Sequence, residues 1–112
     1  MGFLHLLYLE AEKVYGCSKC KIHLTELNEL CSKGFQGAHG KAYLFNQAVN
    51  ISQGEYKDQE LITGLHTICD IYCNSCLSLL GWKYLRAYNE KEKYKEGKII
   101  LYRKTIIKLG WM

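Results

Sequence analysis

Two pairs of cysteines have the spacing to do chemistry together. Cys17-Ser-Lys-Cys20 and Cys73-Asn-Ser-Cys76 each set two thiols three positions apart, so that one tight turn aims both sulfurs at a single ion. Two such turns complete a tetrahedral set of four thiolates, the set that zinc takes in structural sites. Four thiolates leave no open coordination position, so the expected role is structural rather than hydrolytic. The rival chemistry is redox exchange of the thioredoxin type, which places Cys-x-x-Cys at the start of a helix after a strand. The surrounding residues read as β, which favours the metal. A disulfide framework would need an oxidising compartment. The apolar opening Met1–Leu9 lacks a basic flank and a small-residue cleavage site, so a soluble protein of the nucleus and/or cytoplasm, with no membrane association, is expected. In that setting the Asn50-Ile51-Ser52 sequon is idle.

The remaining chemistry-bearing residues are less organised. Cys31 and Cys69 read as buried small hydrophobes, with a redox couple as the alternative. His5, His23, His39 and His66 share no metal spacing; His23 either supports the first knuckle or satisfies a local hydrogen bond. No Ser-His-Asp set or paired catalytic carboxylates can be read, so the chain is expected not to be an enzyme. Residues 1–82 carry six Lys against eight Asp or Glu, and residues 83–112 carry nine Lys or Arg against three Glu. That basic last third, with Tyr88, Tyr94 and Tyr102 interleaved, could meet nucleic-acid phosphates and bases, but a solvated face of mixed charge is the simpler reading.

The elements that must position the cysteines read as strands: Leu4–Leu9, Lys41–Ile51, Gln59–Thr63, Leu65–Tyr72, Gly81–Tyr88 and Lys98–Lys108. Lys41–Ile51 alternates with Tyr43, Phe45, Val49 and Ile51 on one face and Ala42, Leu44 and Ala48 on the other, as a central strand would. Leu24–Cys31 reads as a short helix or an irregular loop, and Gly34, Gly37 and Gly40 as a flexible connection that matches no phosphate-binding pattern. The 112 residues fit a single domain, 1–112, small enough to gain from a metal clamp. The 52 residues between the knuckles must then form a folded sheet whose ends meet at the ion.

Longer runs carry a family resemblance. Tyr15-Gly-Cys-Ser-Lys-Cys20, Ser32-Lys-Gly-Phe-Gln-Gly37, Gly40-Lys-Ala-Tyr-Leu-Phe-Asn46, Leu61-Ile-Thr-Gly-Leu-His66, Asp70-Ile-Tyr-Cys73, Leu80-Gly-Trp-Lys-Tyr84 and Lys93-Tyr-Lys-Glu-Gly-Lys98 resemble the Yippee-like protein family, in order and over about residues 3–111. The resemblance implies an all-β fold, a β-tent of two antiparallel sheets pinned by a four-cysteine zinc site at Cys17, Cys20, Cys73 and Cys76, with one structural Zn2+ per chain. It also implies a link to the nucleus and cell division, with protein partners and no defined reaction. The same fold class holds the cereblon ligand-binding domain, a centromere-licensing family and zinc-containing methionine sulfoxide reductases.

Those neighbours frame the expected functions. The first is a recognition module binding protein partners in a cleft lined by Trp82, Tyr43, Phe45, Tyr72 and Tyr84. Trp82 stands where the cereblon-type pocket places one wall of its cage, but the other two walls fall on Ile62 and Ile68, so a small-molecule ligand of that kind keeps one wall in three. Trp111 covers a sheet edge or stands exposed. A reductase would need a nucleophilic cysteine after the second pair, and none follows Cys76.

Overall fold

The computed structural model describes residues 6–111, and among them all regular structure except three short 3-10 turns is antiparallel β. A three-stranded sheet is formed by β1 (Val14–Cys17), flanked by β2 (His23–Glu26) and β10 (Ile106–Leu109). A larger sheet runs in the order β3 (Leu30–Gly37), β4 (Gly40–Phe45), β9 (Ile99–Tyr102), β8 (Leu79–Ala87), β7 (Gly64–Cys73) and β5 (Ile51–Gln53). β6 (Lys57–Leu61) shares the outer edge of β7 with β5 and pairs with its first half.

The two sheets enclose the main core. Tyr15, Cys17, Ile22 and Leu24 of the small sheet and its turn pack on Phe45, Cys69, Ile71, Leu80, Ile99 and Leu101 of the large one. Tyr15 meets Phe45 edge to face at 5.4 Å. The other face of the large sheet carries a second apolar layer, with Ala42, Leu44, Ile68, Tyr84, Ile100 and Tyr102 buried. β4 therefore contributes to both layers, as its alternation requires. Gly81 is obligatory where β8 crosses β9, because a Cβ there would overlap the Ile100 carbonyl oxygen.

Four expectations are corrected. Lys41–Ile51 is not one strand. β4 ends at Phe45, and the next residues peel away to bond the small sheet, Val49 N–H to Leu24 O at 2.7 Å and Thr25 Oγ1 to Gln47 O at 2.8 Å. Lys98–Lys108 is likewise two strands in different sheets, divided by a 3-10 turn at Arg103–Thr105. The Thr105 hydroxyl holds that turn, donating to Tyr102 O (2.7 Å) and Leu80 O (3.0 Å). The glycine stretch is not a loose connection but β3, hairpinned to β4. Of the expected strand Leu4–Leu9, residues 4 and 5 lie outside the described residues, and 6–9 form a strap rather than a strand.

One buried amide fastens that strap. Asn50 receives the Leu7 N–H (2.7 Å) and donates to Leu7 O (2.8 Å) and His23 O (2.6 Å). Its own carbonyl accepts from Asn74 N–H at 2.9 Å, next to the second cysteine pair. Asn50 adopts φ 59°, a left-handed conformation that asparagine tolerates better than most residues.

Candidate metal centre and aromatic groove

The two cysteine turns are copies of one another. In the first, Lys21 N–H bonds Cys17 O and Cys17 N–H bonds Ile22 O, both at 2.9 Å. In the second, Leu77 N–H bonds Cys73 O and Cys73 N–H bonds Ser78 O, again at 2.9 Å. The residue after each second cysteine is left-handed, Lys21 at φ 68° and Leu77 at φ 64°, without being glycine. Cys17 closes β1 and Cys73 closes β7, so the turns belong to different sheets and meet face to face.

The sulfurs converge. Cys17 and Cys76 Sγ are 3.6 Å apart, as are Cys20 and Cys73, and all four lie within 4.8 Å of one another. A zinc–sulfur bond of about 2.3 Å sets the edge of a ZnS4 tetrahedron at about 3.8 Å, so the donor set fits such an ion. Cys17 and Cys73 are buried, while Cys76 is exposed. Burial pushes the Cys73 thiol up to about 12, whereas the Ser78 hydroxyl, 2.9 Å away, holds Cys76 down to about 6. Burial also opposes the Cys20 thiolate, but hydrogen bonds, first from the Ile22 backbone, leave its pKa below the ordinary thiol value. A divalent cation among the sulfurs is the countercharge that would ionise all four together.

The other two cysteines separate. Cys69 is fully buried in the core, as expected, and burial raises its pKa. Cys31 is exposed instead of buried, its thiol bonded to Asn46 Oδ1 at 3.2 Å. His23 satisfies a local bond, its Nδ1 accepting Leu9 N–H at 2.8 Å. Trp111 covers Tyr15 at 5.0 Å between ring centroids and donates its indole N–H to Val14 O.

These four sulfurs and two sheets agree with the comparisons. A sequence model of the family described as "Yippee zinc-binding/DNA-binding /Mis18, centromere assembly" matches residues 13–110. This chain belongs to that Yippee–Mis18 family. It is 48% identical over 100 residues to "Protein yippee-like 4" of Homo sapiens and of Rattus norvegicus, covering 88% of this chain and 79% of each relative. Its fold is similar to the crystal structure of a Mis18 "Yippee-like" domain, with a TM-score of 0.68 over 87% of this chain and 94% of that one, at 13% identity.

The Yippee-type fold leaves a groove on the face of the large sheet opposite the main core. Its cavity, of about 930 Å³, has Trp82, Tyr84 and Tyr102 in the floor, Phe35 and His39 along one wall, and β6 with the turn Glu90–Lys95 along the other. Trp82 meets Tyr84 at 6.1 Å and Tyr102 at 5.4 Å, both at steep angles. Gly37 permits this packing, since a Cβ would come within 2.7 Å of both Trp82 and the Tyr102 hydroxyl. The Trp82 indole N–H is buried without an acceptor in hydrogen-bonding geometry, and burial raises the pKa of Tyr84.

Of the five aromatics expected in one cleft, the structure brings Trp82 and Tyr84 to the groove and leaves three outside it. Phe45 is fully buried in the core between the sheets, Tyr43 packs against that same core, and Tyr72 lies beside Gly54, beyond the cavity. Strand parity decides the first two, because odd residues of β4 face the small sheet. Ile62, one of the lost cage positions, is fully exposed on the β6–β7 turn, and Ile68 is buried under the groove. Sequence reasoning missed Phe35, Tyr94, Tyr102, Asp70 and Lys95 as groove residues; Tyr94, Tyr102 and Lys95 were absorbed into the reading of a basic tail.

Lys95 is the least expected of these. It is 3% exposed, with Nζ 2.7 Å from Glu92 and 3.1 Å from Thr63 Oγ1, and it lies over the rings of Phe35, Tyr84 and Tyr94 at 5.2–5.9 Å. The Lys95 ammonium holds the Glu92 carboxyl below its ordinary pKa. The basic last third is thus dispersed. Lys93 and Lys95 pair with Glu96 and Glu92, Arg86 stacks on Tyr88, and Lys108 covers Trp111.

Proposed function

We propose that this chain is a zinc-stabilised, non-catalytic recognition module that binds protein partners through the aromatic groove. One structural Zn2+ held by Cys17, Cys20, Cys73 and Cys76 would tie the two sheets together, leaving the opposite face of the large sheet to bind. The observation that carries the reading is the half-buried Trp82 at the centre of a large, aromatic-floored cavity on that face. Rigid aromatic side chains in concave sites are where binding energy concentrates. Work in the nucleus and in cell division is the setting that the family description supports, through its words on centromere assembly. The test is proximity labelling and crosslinking in cells, with Trp82→Ala compared against the parent. Proteins that the parent captures and the variant loses, at an unchanged melting temperature, support the groove; an identical partner set from both chains rejects it.

A second reading, nucleic-acid binding, has one observation in its favour besides the family's description. Lys19 and Lys104 flank a smaller cavity of about 360 Å³ beside the cysteine turns, with Ser18, Ser78 and Thr105. If it is correct, Lys19→Ala with Lys104→Ala weakens duplex binding and flattens its salt dependence.

A further inference from the structure

The groove contains an ammonium group of the chain's own, held by aromatic faces and one carboxylate. That is Lys95, over Phe35, Tyr84 and Tyr94 and paired with Glu92. The same components recur beside it without a cation from this chain. Trp82, Tyr102 and His39 meet at steep angles, with Trp82–Tyr102 at 5.4 Å and 61° and His39–Tyr102 at 5.3 Å and 80°. These are edge-to-face packing contacts that fix the floor, and the half-buried Trp82 is the ring they leave lining the cavity. Asp70 stands directly across from Trp82 in the β7–β8 register, half-buried, and lines the same cavity. Among the described residues its carboxylate is in no ion pair, because the only two pairs are Lys93–Glu96 and Lys95–Glu92.

Aromatic faces attract cations through the negative face of the ring quadrupole, and a nearby carboxylate adds direct charge. A partly buried carboxylate without a countercharge is costly, so such a site gains most from a cationic guest. The geometry points to the Trp82–Tyr102–Asp70 compartment as a binding site for a lysine-type ammonium side chain presented by a partner peptide. This rests on the groove being the recognition surface. Methylation of the ammonium should tighten binding, because it lowers the cost of dehydration while keeping the charge. The cavity is larger than one side chain, which leaves room for flanking peptide residues.

The other ionisable groups around the cavity set the sign of the test. Glu60 shares the charge of Asp70, and Glu92 is spent on Lys95. Lys57, exposed on β6, and His39 oppose a cation when charged. A cationic guest is therefore weakened by Asp70→Asn and strengthened by Lys57→Ala. An anionic or neutral guest responds in the opposite sense or not at all.

The experiment uses the zinc-loaded full chain and follows the Trp82 indole resonance, assigned with Trp82→Phe, during titration. The probes are five-residue peptides with a central lysine, trimethyl-lysine, norleucine or glutamate between Gly and Ser. The expected order is trimethyl-lysine, then lysine, with norleucine and glutamate not saturating. Asp70→Asn should raise Kd about tenfold, the equivalent of about 1.4 kcal/mol. Lys57→Ala, at an exposed position where folding is not at stake, should lower it. Equal binding of the norleucine peptide, no effect of Asp70→Asn, or no shift at Trp82 with either cationic peptide overturns the inference. If a neutral or acidic peptide instead saturates the groove and Trp82→Ala abolishes it, the cation assignment fails while the groove remains the recognition surface. If cellular partners also survive Trp82→Ala, the broader reading fails with it.

Discussion

Leu77 and Lys21 occupy a backbone conformation that L-residues normally avoid, and both do so one residue after a cysteine. The left-handed bend turns the chain back after each pair, so that Cys17 N–H reaches Ile22 O and Cys73 N–H reaches Ser78 O. Leu77 is 72% exposed, so its side chain contributes little packing. A left-handed non-glycine residue costs about 1–2 kcal/mol, and glycine returns part of that as unfolded-state entropy. Leu77→Gly should therefore stabilise the chain by up to about 1 kcal/mol, read as a rise of a few degrees in melting temperature. Cys73→Ser acts at the same scale with the opposite sign. It leaves three thiolates, and metal analysis should fall from about one zinc per chain to a small fraction of that, with a lower melting temperature as the small sheet loses its tie to the large one.

Among the elements, Asn50 shows how a single side chain can divide a strand that sequence pattern joins. Its amide uses both hydrogens and its oxygen on the N-terminal strap and β2, and it is 7% exposed. Asn50→Ala would leave two carbonyls and one N–H without partners, each costing about 1 kcal/mol or more. A loss of about 3 kcal/mol is expected in chemical denaturation. The same buried amide is poorly placed to carry a glycan. Local pattern made β7 and β8 legible, because β-branched or aromatic residues, Thr67, Ile68, Ile71, Tyr72, Trp82 and Tyr84, recur there among other apolar residues between turns. The cysteine cluster was legible too, since two Cys-x-x-Cys turns have the spacing to bring four sulfurs around one point. The breaks at Asn46–Asn50 and Arg103–Thr105 were not. The residues on either side favour strand, and what ends each strand is a bond to a partner distant in sequence, such as Val49 to Leu24 or Thr105 to Leu80. The groove was half legible for a related reason. Trp82 and Tyr84 share a strand face, whereas Phe35 and Lys95 reach them only through the curl of β3 and the turn after β8.

At the level of the whole molecule, the two sheets are joined by an apolar layer and by the four sulfurs, and these fasteners differ in reach. The small sheet brings only four largely buried apolar or aromatic residues beyond its cysteine, Val14, Tyr15, Ile22 and Leu24, while the large sheet has an apolar layer on each face. Cys17 and Cys20 come from the small-sheet side and Cys73 and Cys76 from the large, so a bound ion spans the junction. Removing it should not loosen the chain evenly. Four sulfurs brought this close, without the cation, combine a deeply buried thiol with an exposed one held near pH 6, and mutual repulsion rises as they ionise. Stepwise chelation at neutral pH, followed by hydrogen exchange, should therefore release the amides of β1, β2 and β10 first. Those of β8 and β9, central in the large sheet, should stay protected longest. Near-UV dichroism should fall in the same step, because Tyr15 and Trp111 report on the small sheet's packing. Simultaneous loss of protection in both sheets would mean that the metal anchors the whole fold. Full protection after chelation would remove the four-cysteine cluster from any part in stability.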